Sequence, residues 1–419
     1  MSQEREPTRF VARQPILDEQ ERVYGYELLF RGGLDNFFSA KDGDTATRDV
    51  LDNLFTSGTA LLTSGHRAFI NCTRQFLVND YATLLPKDQA AIEVLENIEP
   101  DDEVVCALRR LKQAGYLIVL DDFVVSEKVQ PFIDLADIIK VDFLGTPSSA
   151  RRSVVSQFSG QGIRFLAEKV ETREDFEEAV EAGYRYFQGY FFCRPQIVAG
   201  TSIPAFKLHY LNLLRAIARP DLDMSEVESI IQSEVSLTYK LMRLVNSALF
   251  PFTTEIHSVR HALLLLGQQE VKKWASVVAL LSTAQDKPHE LTLTSLTRAQ
   301  CCELLATALR RSSDGPEFFL MGLLSLMDAL LGRPMSELLE QIALPEETRI
   351  ALSGGDNPLR TAYELISSYE RADWRAVSEY ASRLRLTESE FFAAYLESLR
   401  WANNVFYGTS DLSAPLAGR

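Results

Sequence analysis

The sequence is poor in the residues that covalent cross-linking or thiolate chemistry would need. Five cysteines in 419 residues, two of them adjacent (Cys301-Cys302), form no disulfide framework. No apolar run approaches the ~18 residues of a membrane helix. The longest candidates, Val277–Leu281 and Leu263–Leu266, have the length of core-helix segments. Met1 to Pro7 is polar and mixed in charge, without an apolar signal core. A reduced, cytoplasmic protein with no membrane segment is expected. Positive charge is also short: 43 Lys+Arg against 58 Asp+Glu gives 43 − 58 = −15. That balance disfavours long nucleic acid, whose binding relies on Lys and Arg neutralising many phosphates. A small phosphate ligand held locally by metals is not excluded. With 46% hydrophobic and 24% charged residues the chain is globular, and its length suggests two or three domains of about 150 residues.

Charge does not divide the chain. There are 22 basic and 32 acidic residues up to residue 200, and 21 and 26 after it. Hydrophobic periodicity does divide it. Before about residue 200, short apolar runs alternate with amphipathic stretches: Phe10–Leu17, Val23–Phe30, Ala68–Asn71, Ala91–Leu95, Tyr116–Leu120, Ile138–Phe143, Ile163–Ala167 and Tyr184–Phe187. The first two are joined by Asp18-Glu19-Gln20-Glu21-Arg22, which predicts an antiparallel hairpin. The rest are separated by helix-like segments. Asp101-Asp102-Glu103 opens one and Gly115 stops it; Thr172 caps another and Gly183 ends it. Such alternation favours a parallel sheet, either a closed barrel or an open doubly wound sheet. After residue 200 roughly ten helices and no strand are expected. Ser225-x-x-Glu228 and Thr387-x-x-Glu390 read as capping boxes. The expected domains are 1–200 and 201–419, linked through Ile197–Ala205.

In a barrel of parallel strands, functional residues stand at the strand C-terminal ends. The polar residues there are Glu27, Asn71, Glu93, Asp121-Asp122, Lys140 (with Asp142), Glu168 (with Glu171) and Gln188. Crowded carboxylates repel one another unless cations hold them. Hard oxygen ligands suit Mg²⁺ or Mn²⁺. Two such ions about 3.5–4 Å apart clamp a phosphodiester and activate water, and a nearby Lys stabilises developing negative charge. Singly, each of these acids reads as a cap or a surface charge; Asp121-Asp122 closing an apolar strand is harder to explain by packing. Cys72 and Trp274 read as packing residues, and Arg151-Arg152 as a solvated turn.

The motifs carry a resemblance. Arg13-Gln14-Pro15-Ile16 and Tyr24-Gly25-Tyr26-Glu27-Leu28-Leu29-Phe30-Arg31 resemble the opening of the EAL domain, the cyclic di-GMP phosphodiesterase fold. Asn71, Ile92-Glu93-Val94-Leu95-Glu96, Asp121-Asp122-Phe123, Lys140-Val141-Asp142, Ala167-Glu168-Lys169-Val170-Glu171 and Gln188-Gly189-Tyr190 follow in that family's order. The second half resembles the HDOD domain, in Ser236–Phe250 (with Leu244-Val245-Asn246-Ser247), in Ile256-x-Ser258 with Ala262 to Leu266-Gly267, and in Gly322–Gly332. The chain as a whole is similar to bacterial EAL–HDOD signalling proteins. That implies a TIM-like barrel with an antiparallel first strand, followed by an all-helical HDOD domain. It implies metal ligands at Glu27, Asn71, Glu93, Asp121 and Asp122, catalytic positions at Lys140 and Glu168, and substrate-contacting positions at Gln14, Arg31 and Gln188.

The sequence departs from the family's pattern at several points. The signature Glu-Ala-Leu is Glu27-Leu28-Leu29. The small residue after Asp-Asp-Phe is Val124, followed by Val125-Ser126-Glu127-Lys128-Val129-Gln130-Pro131 in place of a Gly/Ser-rich loop. The Gly between the two glutamates is Lys169, which either competes with a cation or points outward. Losses in such supporting shells commonly cost 10–100-fold in affinity or activity. In the helical half, Ser325-Leu326-Met327-Asp328 puts Met327 where an HD hydrolase has histidine, and no His in the chain precedes an Asp. His257 and His261 read as a cap-region and a surface residue, and no metal site is expected in that half. Three functions follow. A regulatory protein, with the barrel sensing cyclic di-GMP and the HDOD half binding a partner protein, is placed first. A working metal-dependent phosphodiesterase and a nucleotide-independent scaffold are the alternatives. A homodimer is compatible with each.

Overall fold

The computed structural model describes residues 11–30, 59–122, 127–158, 160–194, 212–217, 219, 222–233, 235–245, 256–284, 286–342 and 344–410. The chain divides into two compact units, Met1–Phe192 with Ser368–Trp374, and Cys193–Ser367 with Arg375–Arg419. The short stretch Ser368–Trp374 is anchored in the first unit by Tyr369, whose hydroxyl donates to the Val11 carbonyl at 2.7 Å.

The first unit is a closed barrel of eight strands in sequence order. They are β1 (Val11–Asp18), β2 (Val23–Phe30), β3 (Arg67–Cys72), β4 (Ala90–Val94), β5 (Leu117–Leu120), β6 (Ile138–Asp142), β7 (Arg164–Glu168) and β8 (Tyr186–Gln188). β1 runs antiparallel to both β2 and β8; the other neighbours are parallel. Ring closure removes the open-sheet alternative. The expected hairpin forms around Asp18. Its Oδ1 accepts the Gln20 and Arg22 amides at 2.9 Å each, and its Oδ2 pairs with Arg22 at 2.7 Å.

Between strands run α1 (Thr59–Thr63), α2 (Arg74–Val78), α3 (Asp102–Ala114), α4 (Gln130–Ile133), α5 (Ser148–Gln157) and α6 (Arg173–Ala182). Asp101 caps α3 by accepting the Val104 amide, and Gly115 ends it at φ 93. Thr172 and Asp175 form a capping box on α6, which Gly183 closes at φ 97. Arg151 corrects the solvated-turn expectation: it lies on α5 with its guanidinium 4.2 Å over the Phe143 ring. It also donates to the Thr146 carbonyl at 2.7 Å and pairs with Glu178 at 3.3 Å. A flat cation that covers a ring and satisfies loop carbonyls is packing, not hydration.

One buried layer inside the barrel is Ile16, Phe69, Ala91, Val119, Ile138, Leu166 and Tyr186, one residue from each strand but β2. In β2 the equivalent place falls to Gly25. A Cβ there would lie 2.7 Å from the Arg67 carbonyl and 2.8 Å from the Phe69 ring, so the glycine gives Phe69 its space. Side chains alternate along a strand, so the residue two places on points into the same interior. Two places toward the mouth from that layer stand Gln14, Glu27, Asn71, Glu93, Asp121, Lys140, Glu168 and Gln188.

Beyond Met224 every described helix or strand is a helix: α7 (Met224–Ser233), α8 (Val235–Val245), α9 (Val259–Thr283), α10 (His289–Ala308), α11 (Gly315–Leu324), α12 (Met327–Leu331), α13 (Met335–Gln341), α14 (Glu346–Leu352), α15 (Pro358–Glu370), α16 (Trp374–Arg383) and α17 (Glu388–Ser410). Val227, Leu241, Leu263, Trp274, Leu324 and Met327 share one buried core. The expected box Thr387/Glu390 forms, with Glu390 N donating to Thr387 Oγ1 at 3.2 Å and Thr387 N to Glu390 Oε2 at 2.8 Å. The box expected at Ser225 does not. Asp223 Oδ1 accepts the Ser225 and Glu226 amides at 2.9 and 3.3 Å, so the helix starts at Met224 and Ser225 is inside it. An aspartate caps as well as a serine and is better placed against the helix dipole. α9 breaks direction at Gly267 (φ 74, ψ 170). α10 and α11 approach so closely that a Cβ on Gly322 would lie 2.5 Å from the Arg298 carbonyl. Among the described residues no helix is long and apolar enough to cross a membrane. The expected linker Ile197–Ala205 lies outside the described residues, as do Asn246 and Ser247.

Candidate active site

The mouth of the barrel gathers its charges around one lysine. Lys140, on β6, is 1% exposed, and its Nζ lies 2.6 Å from Glu168 Oε1, 3.0 Å from Glu93 Oε1, 3.0 Å from Asp121 Oδ1 and 3.3 Å from Glu27 Oε2. These carboxylates come from β7, β4, the end of β5 and β2. Two amides complete the ring. Asn71 Nδ2 donates to Glu27 Oε1 at 2.9 Å. Gln188 Nε2 donates to Glu27 Oε2 at 2.7 Å and to Gln14 Oε1 at 3.0 Å. Eight of the ten residues expected from sequence therefore meet in one place. Asp122 stands apart from the Lys140 ring, and Arg31 lies outside the described residues, as do Phe123, Val124, Val125 and Ser126.

Four carboxylates and one ammonium are not in balance, and the proton affinities record it. Lys140 is held well above the usual lysine range: the four carboxylates, Glu27 first, overcome the burial that would lower it. Burial pushes Glu93 well up, and the Glu27 charge adds to it. Burial likewise raises Asp121, with Glu27 again adding. Glu168 is pushed up to about 8, chiefly by burial, although Lys140 opposes this. Glu27 goes the other way. Burial would raise it, but Lys140, Gln188 and Asn71 together hold it below the ordinary value. Glu27 is thus the carboxylate kept ionised, and Glu168 the one able to carry a proton near neutral pH.

Several buried acceptors here have no donor. Asn71 Oδ1, Gln188 Oε1 and both oxygens of Glu93 lack a hydrogen bond, even though Lys140 Nζ is within ion-pair distance of one Glu93 oxygen. Glu93 is 0% exposed. An acceptor left empty inside a protein costs about 1–3 kcal/mol, more for a charged one. Oxygen donors with spare lone pairs in a negative pocket are what a hard divalent cation binds. The residue types fit such an ion at Glu27, Asn71, Glu93 and Asp121. Among the described residues, no three His, Cys, Asp or Glu side chains already stand as a metal cage. The Lys140 ammonium holds the centre instead.

Outside the ring lies a second polar group. Asp142 closes β6; its Oδ1 accepts the Leu144 and Gly145 amides at 2.7 and 3.0 Å, and its Oδ2 takes Lys169 Nζ at 2.5 Å. Lys169 therefore points to Asp142. Both Asp122 (φ 48) and Lys169 (φ 53) adopt left-handed backbone, each directly after a ring carboxylate, Asp121 and Glu168. That conformation costs an L-residue about 1–2 kcal/mol. The Lys169–Asp142 contact was not foreseen from the sequence; its one signal was a lysine where the resembled family has glycine.

The described residues of the helical unit hold no comparable cluster. Met327 is buried in the core. Asp328 is largely buried, with its carboxyl raised by that burial. His257 precedes the cap Ser258, and His261 lies in the first turn of α9; both are exposed.

Comparison with known proteins agrees with this division. The EAL domain family matches residues 57–195 and the HDOD domain family residues 203–348. YuxH of Bacillus subtilis is 35% identical over 405 residues, covering 94% of this chain and 98% of its own. The chain belongs to the EAL–HDOD family. A second relative, from Vibrio cholerae, is named cyclic di-GMP phosphodiesterase CdgJ; it is 35% identical over 402 residues, with 95% of this chain and 93% of its own covered. Among solved structures, a calcium and cyclic di-GMP complex of Klebsiella pneumoniae BlrP1 is 26% identical over 46% of this chain and 58% of that one, with a TM-score of 0.36. The EAL match begins at residue 57, so β1 and β2, with Gln14 and Glu27, enter this EAL barrel from outside the matched span.

Proposed function

We propose that the EAL barrel is a divalent-metal-dependent phosphodiesterase acting on cyclic di-GMP. The observation that carries this reading is the set of buried oxygens without a hydrogen bond on Asn71, Glu93 and Gln188, beside ionised Glu27, at the mouth of the barrel. The name borne by the Vibrio cholerae relative supplies the substrate.

Glu27, Asn71, Glu93 and Asp121 would hold the cation, which supplies Lewis-acid activation of water and of a phosphoryl oxygen. The other residues do the rest. Glu168, with a proton affinity near neutrality, takes a proton from the attacking water and is close enough to Lys140 (2.6 Å) for the ammonium to stabilise its charged form. Lys140 places a fixed positive charge where the phosphoryl oxygens gain negative charge. Gln188, linked to both Glu27 and Gln14, fixes the Glu27 carboxylate in one orientation. Arg31 completes the set expected to meet substrate.

The purified chain, given cyclic di-GMP with Mg²⁺ or Mn²⁺, is expected to release linear dinucleotide, measured by chromatography. Because supporting residues alone commonly cost 10–100-fold, Glu27→Ala is expected to lose more than about 100-fold. No turnover in the wild type overturns the hydrolytic reading. A second reading then stands if calorimetry detects cyclic di-GMP binding: a regulatory barrel that senses the nucleotide, with the HDOD half engaging a protein partner. The observation favouring it is Lys140 at the centre, already neutralising the carboxylates that a metal would need.

A further inference from the structure

The ionic arrangement at the mouth has two parts with different needs. The inner ring of Glu27, Glu93, Asp121 and Glu168 around Lys140 has four acidic groups, one ammonium, and buried acceptors that nothing satisfies. The outer pair is already served. Asp142 has both oxygens engaged, Oδ1 by two backbone amides and Oδ2 by Lys169 at 2.5 Å. Asp122 is the other outer acid, and its backbone turns left-handed like that of Lys169; burial raises its carboxyl, and the Lys169 charge opposes that rise. The bond to Asp142 in turn holds the Lys169 ammonium above its ordinary range.

Magnitudes separate this lysine from an ordinary surface ion pair. Its side chain is 52% exposed, and exposed ion pairs contribute little to stability. Yet its backbone sits at φ 53, an unfavourable place for a long side chain. The strain is therefore not offset by the stability of the pair. Its position directly after Glu168 delivers a fixed ammonium to the acids that lie outside the ring.

We propose that Lys169 serves as a built-in second cation, so that the site takes one divalent ion, in the inner ring, instead of two. This rests on the metal-dependent reading above and deepens it. The Lys169 ammonium supplies at Asp122 and Asp142 the positive charge that a second divalent ion would otherwise bring, and it closes the Asp142 oxygen such an ion would use. A covalently attached charge also does not dissociate.

The test counts ions and does not depend on turnover. The full chain is dialysed against Mn²⁺ alone, and bound ion is quantified by electron paramagnetic resonance of the free fraction. One Mn²⁺ per wild-type chain and two per Lys169→Gly chain are expected; glycine suits the left-handed backbone, so the variant folds. Lys169→Arg, which keeps the charge, is expected to stay at one. Adding Asp142→Asn to Lys169→Gly is expected to return the count to one. Two ions in the wild type, or one in Lys169→Gly, overturn the role of Lys169 and leave the metal-dependent reading intact. No ion in the wild type overturns both.

Discussion

In the barrel, Glu27, Glu93, Lys140 and Glu168 are buried against one another, and several of their neighbours' acceptors stay empty. In the helical unit, three buried hydroxyls turn to backbone carbonyls instead: Ser295 Oγ donates to Leu323 at 2.6 Å, Thr297 Oγ1 to Leu293 at 2.8 Å and Thr283 Oγ1 to Leu280 at 2.9 Å, while Thr348 Oγ1 stands alone there without a hydrogen bond among the described residues. Both units bury polar atoms, but the empty acceptors of the barrel gather in one place, on Asn71, Glu93 and Gln188, whereas the helical unit has a single scattered hydroxyl among the described residues. A hydroxyl brings its own proton and can turn it to a carbonyl one helical turn back. An ionised carboxylate only accepts, so four of them in one pocket require cations. Polar burial marks a site where the donors run out.

The comparison is broken most sharply at Lys140. Lys140→Met leaves four carboxylates buried without a counter-charge, and removing one partner of a buried ion pair costs about 3–5 kcal/mol. Urea unfolding of the metal-free chain should show a loss of that order, with Mn²⁺ restoring part of it. A neutral outcome would mean the acids share protons and carry little charge. The same imbalance gives a pH dependence. Glu168 is raised from 4.5 to about 8 by folding, so the metal-free folded state holds the extra proton and stability should fall as pH rises from 4.5 to about 8. Glu93 and Asp121, also raised, act in the same direction. His66, lowered by burial, opposes them. Added Mn²⁺ should flatten the profile, and a profile that rises across this window would contradict the buried-acid account.

Smaller effects belong to the helical unit. Ser295→Ala leaves the Leu323 carbonyl without its donor, at about 1–3 kcal/mol in thermal or urea unfolding. It should not change Mn²⁺ binding, because the group it removes was already satisfied. Smallest is Lys169→Ala, whose exposed pair predicts a stability change within about 0.5 kcal/mol by urea unfolding, however large its effect on ion count. A loss of several kcal/mol would make Lys169 a packing residue.

The period-two pattern made much of this legible. Strand-end polar residues follow from apolar runs, and seven of the mouth's eight residues were found on that rule. Gln14 escaped it because β1 runs backwards, so its inward residue toward the mouth precedes the layer residue Ile16 instead of following it. The sequence pattern makes Lys140 a helper beside the acids. That it is their centre depends on four strands converging, which no local pattern contains. Asp223 was missed as a cap because Ser225 fits the same motif and only the amide directions choose between them. Arg151 looked solvated because its ring partner Phe143 lies on a preceding loop, outside helical spacing.

The reversed first strand has a practical consequence. Val11 pairs with Phe30, so β1 begins at the rim where the other strands finish. Seven strands therefore end at the opening and one starts there, so whatever enters passes Val11 and Phe30 on its way to the ring.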